Sequence, residues 1–320
     1  MAGDVTVAVN GGNLVIEGND EDSWVTVAPG ASAGQYLVTQ YEYDSEIRQL
    51  RQIESAQFEG VTGGLRANLR GGRDRLELIN ASFAGDVRIS LGSGQDALWI
   101  EAPDSSPARI AGDLVISTGD GDDTVRIRSI AVEGDHMLNM GRGDDQAFYG
   151  RNENGLVGFT PFSIFHAGID VAGRFWASLG DGQNSLDLFG STSAASLTIH
   201  AAQGDDTLHL VNVAADRCLI STGAGNDWIE AEVVRANRFA AVLGAGEDTL
   251  ALGEVAFSST LIAGQNGNDA LYDMSGVHNH GSGQYEENDL GLLVALGLEQ
   301  TRNARPLRLI DVVVEPIARI

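Results

Sequence analysis

The chain is expected to be all-β, folded as a right-handed parallel β-helix (β-solenoid) of roughly ten coils with a terminal cap. Three observations predict this. A phrase of the form apolar-Gly-x-Gly-polar-Asp-x-apolar-x-apolar recurs down most of the 320 residues. It reads LGSGQDALWI at 91–100, TGDGDDTVRI at 118–127, MGRGDDQAFY at 140–149, LGDGQNSLDL at 179–188 and AAQGDDTLHL at 201–210, and continues as TGAGNDWIEA at 222–231, LGAGEDTLAL at 243–252 and AGQNGNDALY at 263–272. Its acidic position falls at Asp74, Asp96, Asp123, Asp145, Asn184, Asp206, Asp227, Asp248 and Asp269, in steps of 22, 27, 22, 39, 22, 21, 21 and 21 residues. Finally, apolar residues alternate with period two on both sides of the phrase, and helical periodicity is absent from it.

From the N-terminus, MAGDVTVAVN has neither the charged region nor the apolar stretch of a secretory signal. A degenerate copy, IEGNDEDSWV, occupies 16–25, and a weaker one, LRGGRDRLEL, occupies 69–78. Each regular unit then has two strand-like halves. Before the turn the apolar positions are Val87, Ile89 and Leu91, or Leu197, Ile199 and Ala201; after it they are Leu98 and Ile100, or Leu208 and Leu210. A unit of 21 or 22 residues cannot bury one face by itself, whereas stacking on the next unit does so. Coils about 4.8 Å apart would give a rod on the order of 50 Å. The long steps mark insertions at 101–109 and 150–168. The second carries Phe159, Phe162, Phe165 and His166 on what reads as a loop. The solenoid is expected over 1–273, with 274–320 forming a C-terminal cap and a final strand. Within that cap NDLGLLVALGLEQ reads as a short helix or a buried strand.

Composition narrows the function. There are 41 Gly but only 6 Pro, so glycine serves as a periodic turn residue and does not signal disorder. The net charge of −25 argues against nucleic acid as a partner, because phosphates need a basic face. No apolar run is long enough to span a membrane. All 20 basic residues are Arg, which excludes lysine-dependent chemistry. The single Cys218 excludes an intramolecular disulfide and falls in an inward slot of the repeat.

The repeated carboxylates point to a cation. Stacking places the motif residue of each coil over that of the next. The residue before it is polar as well: Gln95, Asp122, Asp144, Gln183, Asp205, Asn226, Glu247 and Asn268. Two carboxylates about 4.8 Å apart repel by roughly 1 kcal/mol in water and by several-fold more at a partly buried turn. Calcium would relieve this, since it takes six to eight oxygen ligands in flexible geometry, and the Gly-x-Gly backbone is expected to offer outward carbonyls. The candidate ligands are Asp74, Asp96, Asp122, Asp123, Asp144, Asp145, Asn184, Asp205, Asp206, Asn226, Asp227, Glu247, Asp248, Asn268 and Asp269. The competing reading is that Asp and Asn only cap backbone N–H groups at tight turns.

The motif resembles the repeat-in-toxin, or hemolysin-type, calcium-binding nonapeptide G-G-x-G-x-D-x-U-x. The match lies at Gly92, Gly94, Asp96 and Leu98, at Gly119, Gly121, Asp123 and Val125, and in several later copies. The resemblance implies a β-roll-like solenoid, calcium held between turns, calcium-driven folding and secretion by a Gram-negative-type bacterium. The chain departs from that pattern in having one motif per coil and Leu, Thr or Met at the first position. Asn184 also replaces the Asp, Ala202 replaces a Gly, and GQNGND has one extra residue. The coil is therefore wider, with a single calcium-competent edge.

One outward column carries other chemistry: Glu77, Trp99, Arg126, Phe148, Asp187, His209, Glu230, Ala251 and Tyr272. Asp187, His209 and Glu230 would stand on consecutive coils with Arg126 further along, an arrangement suited to acid–base work on a sugar. The plain alternative is a solvated strand face. His278 and His280 could ligate a transition metal, with a polar loop as the plainer reading. The functional expectation is a secreted or cell-surface calcium-binding structural or adhesive module. Its partners would be calcium, polysaccharide or other copies of itself. A polysaccharide-active enzyme is the alternative.

Overall fold

The alternating apolar residues on either side of each Gly-x-Gly turn resolve into two strands per repeat, one in each of two sheets. The structure, a computed structural model, describes residues 5–44, 49–150, 168–190, 192–253, 255–267, 269–273 and 293–296. Among these there is no helix, and hence none long and apolar enough to cross a membrane. One sheet has 14 strands and the other 12, and from Leu65 to Asp273 the chain passes back and forth between them. We call one pass through both sheets a coil.

Neighbouring coils pair in parallel and in register. In the first sheet Leu114 lies beside Val87 on one side and His136 on the other. In the second sheet Val125 lies between Leu98 and Ala147. This register follows from the period, because a slip of one residue would turn every apolar side chain to solvent. The inward residues fill a single core: Val87, Leu114, Phe175, Leu197 and Phe239 from the first sheet meet Leu98, Val125, Leu186, Leu208 and Ile229 from the second. Each such side chain contributes about 2 kcal/mol when fully buried. Cys218 occupies its inward slot, and burial pushes its thiol up to about 12.

One core layer is polar. His136 and Tyr149 are both fully buried. The His136 ring lies 3.0 Å from the Leu114 carbonyl through Nδ1 and 2.7 Å from the Tyr149 hydroxyl through Nε2. A carbonyl can only accept, so Nδ1 carries the proton and Nε2 accepts from Tyr149. The edge of Phe175 packs against the imidazole with ring centres 4.8 Å apart. Burial pushes His136 down to about 4, so the ring is neutral and fully bonded.

The ends break the parallel rule. Thr6–Asn10 runs antiparallel to Asn13–Glu17. Trp24–Pro29 pairs antiparallel with Tyr36–Asp44, which pairs in turn with Gln49–Phe58. Tyr36 stacks on Phe83 with ring centres 4.8 Å apart, which ties the hairpin to the first full coils. The N-terminal end is thus closed by antiparallel hairpins, a cap that the repeat does not reveal. At the other end Leu293–Leu296 pairs antiparallel with Ala256–Asn266. The remainder of the expected 274–320 cap, His278, His280 and the aromatic insertion Phe159, Phe162, Phe165 and His166 lie outside the described residues.

Candidate functional site

The Gly-x-Gly turn is set by how closely coils approach. Gly121 has φ +133°, and a Cβ placed on it would fall 1.8 Å from the carbonyl oxygen of Gly94. Gly246 repeats this at 1.8 Å from Gly225. Backbone cannot retreat as a side chain can, so only glycine fits. The glycine carbonyls therefore point along the stack at the next coil, not outward as the motif alone suggested.

The motif aspartates point inward. Each gives Oδ1 to the N–H of the equivalent residue one coil earlier. Asp74 N–H donates to Asp96 at 2.7 Å, Asp96 to Asp123 at 2.8 Å and Asp123 to Asp145 at 2.8 Å. Asp145 donates to Asn184 Oδ1 at 3.0 Å, Asn184 to Asp206 at 2.8 Å and Asp206 to Asp227 at 2.9 Å. Asp227 donates to Asp248 at 2.9 Å and Asp248 to Asp269 at 3.2 Å. Ser23, with its N–H 2.8 Å from Asp74, begins the row in the degenerate copy. The capping interaction expected of Asp at turns is therefore present, but it runs between coils.

That interaction uses only half of each carboxylate. The Oδ2 atoms of Asp74, Asp96, Asp123, Asp145, Asp206, Asp227, Asp248 and Asp269 are buried and have no hydrogen-bond partner. These side chains are at most 3% exposed. Burial, opposed by the backbone N–H and reinforced by neighbouring carboxylates, pushes Asp74 and Asp206 up to about 7 and Asp145 up to about 8. Asp96 and Asp123 rise to about 6, Asp248 to about 7, and Asp227 also rises. Asn184 shows the neutral alternative: its Nδ2 occupies the second position and donates to Gly182 O at 3.1 Å.

The residues before the motif position form a separate, exposed row. Its bonds run the other way along the stack: Asp144 N–H donates to Asp122 Oδ1 at 3.0 Å, Asn226 to Asp205 Oδ1 at 2.7 Å and Glu247 to Asn226 Oδ1 at 2.9 Å. Asn268 lies outside the described residues. Among the described residues no three His, Cys, Asp or Glu side chains converge as a metal cluster. Any cation in the inner row would thus depend on main-chain oxygens as well as carboxylates. The donor chemistry fits a hard cation, because every coil of the row except that of Asn184 supplies a buried carboxylate oxygen with nothing to bond, and carbonyls are aimed between coils.

A third row was missed by sequence reasoning. At the opposite corner of the coil, Asp113 N–H donates to Asp86 Oδ1 at 3.0 Å, Asp135 to Asp113 at 2.9 Å and Arg174 to Asp135 at 2.8 Å. The signal was in the second half of the repeat, where Gly-Asp recurs in FAGD, IAGD and VEGD before becoming Gly-Arg at 173–174. Here the carboxylates are partly exposed: the Asp113 N–H and then Arg88 hold Asp86, and the Arg174 side chain and N–H hold Asp135, below the usual carboxylate range.

The outward column assembles as its spacing implied. Asp187 pairs with His209, and His209 with Glu230, across consecutive coils. His209 Nδ1 lies 2.7 Å from Asp187 Oδ1, and its Nε2 lies 3.8 Å from Glu230 Oε2. Asp187 is only 1% exposed despite its outward position, so a purely solvated face does not describe it. Arg126 stands two coils away and is engaged with aromatic rings, 5.1 Å from the centre of Trp99 and 5.8 Å from that of Phe148. Arg75 continues this stack between Trp99 at 3.5 Å and Trp24 at 4.1 Å. Comparison with family models, with characterised proteins and with solved structures finds no match to the chain.

Proposed function

We propose that the chain is a calcium-stabilised β-solenoid of right-handed coils, acting outside the cell as a structural or adhesive module. The observation that carries this reading is the row of buried, unpartnered Oδ2 atoms from Asp74 to Asp269. A folded protein does not ordinarily leave eight buried carboxylate oxygens without a partner, since each costs about 1–3 kcal/mol. Proton or cation must meet them at neutral pH. Calcium suits oxygen donors that mix carboxylates with main-chain carbonyls. The aspartates of the inner row would hold it, and its charge would offset their mutual repulsion. The exposed row of Asp122, Asp144, Asp205 and Glu247 would concentrate cations near the edge. Isothermal titration of chelator-stripped protein is expected to show several calcium sites. No heat and no change in circular dichroism at millimolar calcium would overturn the reading.

A second reading rests on the Asp187–His209 hydrogen bond. A buried carboxylate that fixes the imidazole tautomer, with Glu230 near the other nitrogen, is a usable acid–base pair. On this reading the substrate is a polysaccharide. A screen of acidic polysaccharides for shortened or unsaturated products, run with wild type and His209→Ala, tests it. Activity that survives the substitution rules out this site.

A further inference from the structure

The outer face of the first sheet carries an apolar stripe that the functional reading does not use. Val115, Met137, Trp176, Thr198, Leu219 and Ala240 occupy equivalent outward positions on consecutive coils. Leu261 continues the stripe at one end, and Arg88 closes it at the other. Met137 is 42% exposed, Leu219 38% and Leu261 36%, so among the described residues they remain open to solvent. Exposed stripes of this length mark interaction surfaces.

The columns on either side decide what the partner is. On one side lies a polar column, Ser117, Asn139, Ser178, His200 and Ser221, whose three serines permit close approach. On the other side the charge changes sign midway. Asp86, Asp113 and Asp135 come first, followed by Arg174, Ser196, Arg217 and Arg238. Reversing this column about the point between Arg174 and Ser196 sets Asp135 against Arg217 and Asp113 against Arg238. The same operation sets Trp176 against Thr198, Met137 against Leu219 and Val115 against Ala240. Trp176 and Val115 then meet smaller residues, Met137 meets Leu219 of similar size, the Arg88 stem lies against Leu261 at the ends, and Asp135 and Asp113 face arginines.

We propose that two copies of this chain associate through this face, antiparallel about a twofold axis perpendicular to the stack. An isologous contact requires a surface complementary to its own reverse, and the sign change supplies one. A parallel arrangement would put Met137 on Met137 and set the charged columns on opposite edges. The stripe of about seven coils at about 4.8 Å, with three columns across, buries about 600 Å² per copy, at the low end for a stable dimer. The inference does not depend on calcium occupying the inner row.

The test uses the full chain in calcium-containing buffer. Sedimentation equilibrium is expected to show a monomer–dimer equilibrium for wild type. Leu219→Glu is expected to weaken it at least tenfold, and to leave the melting temperature unshifted when both are measured at concentrations where wild type is monomeric. Register is read by cross-linking in a Cys218→Ala background. Facing sheets lie about 10 Å apart, so a bismaleimide of that span is used. Met137→Cys mixed with Leu219→Cys should cross-link several-fold more than either alone. A wild type that stays monomeric at its highest soluble concentration overturns the proposal, as does dimerisation unaffected by Leu219→Glu. Preferential joining of Met137→Cys to itself overturns the antiparallel arrangement, and growth into fibres overturns the closed dimer. Calcium titration of the Leu219→Glu monomer separates failure of this proposal from failure of the calcium reading.

Discussion

The two buried-to-surface corners of the coil carry aspartate rows that look alike and behave in opposite ways. At the Gly-x-Gly corner, Asp74 to Asp269 bond the N–H groups of neighbouring coils from inside the wall, and one oxygen of each aspartate is left over. At the Gly-Asp corner, Asp86, Asp113 and Asp135 make the same coil-to-coil bond from a partly exposed position, with arginines beside them. Burial raises the pKa of Asp74 and Asp145 in the first row, while hydrogen bonds and arginine lower those of Asp86 and Asp135. The ladder bond is common to both. What differs is whether water can reach the second oxygen, and only the dry row calls for a proton or a cation there.

The largest expected effect separates the rows by calcium. A ligand bound only to the folded state adds about 2.7 kcal/mol per site at a hundredfold excess over its dissociation constant. Chelation is therefore expected to lower the melting temperature sharply, and magnesium should restore it poorly because it demands tighter octahedral geometry. Asp206→Asn combined with Asp227→Asn should remove part of this response. In chelator at pH 8 the same pair should melt higher than wild type, because Asn supplies a donor where the Asp leaves a bare oxygen, as Asn184 already does. Asp113→Asn with Asp135→Asn should leave the calcium response intact. Equal behaviour of the two double variants would show that burial is not what distinguishes the corners.

The next effect is steric. Gly121→Ala pushes a methyl into a main-chain carbonyl at a positive φ, whereas at Gly134 the nearest atom is the Asp113 carboxylate at 2.2 Å, with Gly112 backbone behind it at 2.8 Å. Strain and overlap together should cost about 3 kcal/mol or more at Gly121. The cost at Gly134 should be smaller, because its φ is not positive and the backbone overlap is milder, although turning Asp113 aside gives up its bond from the Asp135 N–H. Urea denaturation of both variants checks the order; the reverse order would place the tighter contact at the wrong corner.

The pH dependence follows from the same contrast. The carboxyls of Asp74, Asp96, Asp123, Asp145, Asp206 and Asp248 are pushed up to about 6 to 8 in the folded chain and lie near 4 when unfolded, so between these values the folded chain holds more protons. Stability of the chelated protein should then fall as pH rises from about 5 to 8. His136 acts in the opposite direction. Its folded value of about 4 lies below the ordinary 6.5, so its contribution is full above 6.5 and is lost as pH falls towards 4. With one histidine against at least six aspartates, the chelated protein should melt highest near pH 5. Saturating calcium should flatten the profile, since it competes with protons for the same oxygens. A chelated protein that melts higher at pH 8 than at pH 5 would contradict the raised values.

Much of the scaffold was legible because period and alternation are backbone properties. Steps of 21 and 22 residues fix the register, and the buried Leu98, Ile100, Leu208 and Leu210 fall where period two puts them. The direction of the motif aspartates was not legible. Spacing says that they stack, but whether a turn side chain points into the wall depends on glycine carbonyls in the neighbouring coil. The N-terminal hairpins lie outside the repeat: one falls in the 51 residues between Ser23 and Asp74, and the other precedes Ser23, where Gly11-Gly12 was the readable turn signal. The column Asp187, His209 and Glu230 was found from spacing alone, since parallel in-register pairing makes equal offsets into neighbours. The burial of Asp187 was not legible from that spacing.

The smallest expected effect lies at the exposed corner and dissects it. Asp135 accepts the Arg174 N–H through Oδ1 and holds the Arg174 guanidinium through Oδ2. Asp135→Asn keeps an acceptor for the main chain and removes the charge, whereas Asp135→Ala removes both. Exposed ion pairs are weak and screened by salt, so the Asn variant should differ slightly from wild type at low salt and not at all at high salt. The Ala variant should lose about 1 kcal/mol more, the value of one hydrogen bond, at any salt concentration. Because Asp135 also faces Arg217 in the antiparallel dimer, both are measured by denaturation in the monomeric Leu219→Glu background. If the Asn variant is as unstable as the Ala variant at high salt, the coil-to-coil bond contributes nothing there. The two aspartate rows would then share a pattern without sharing its energetics.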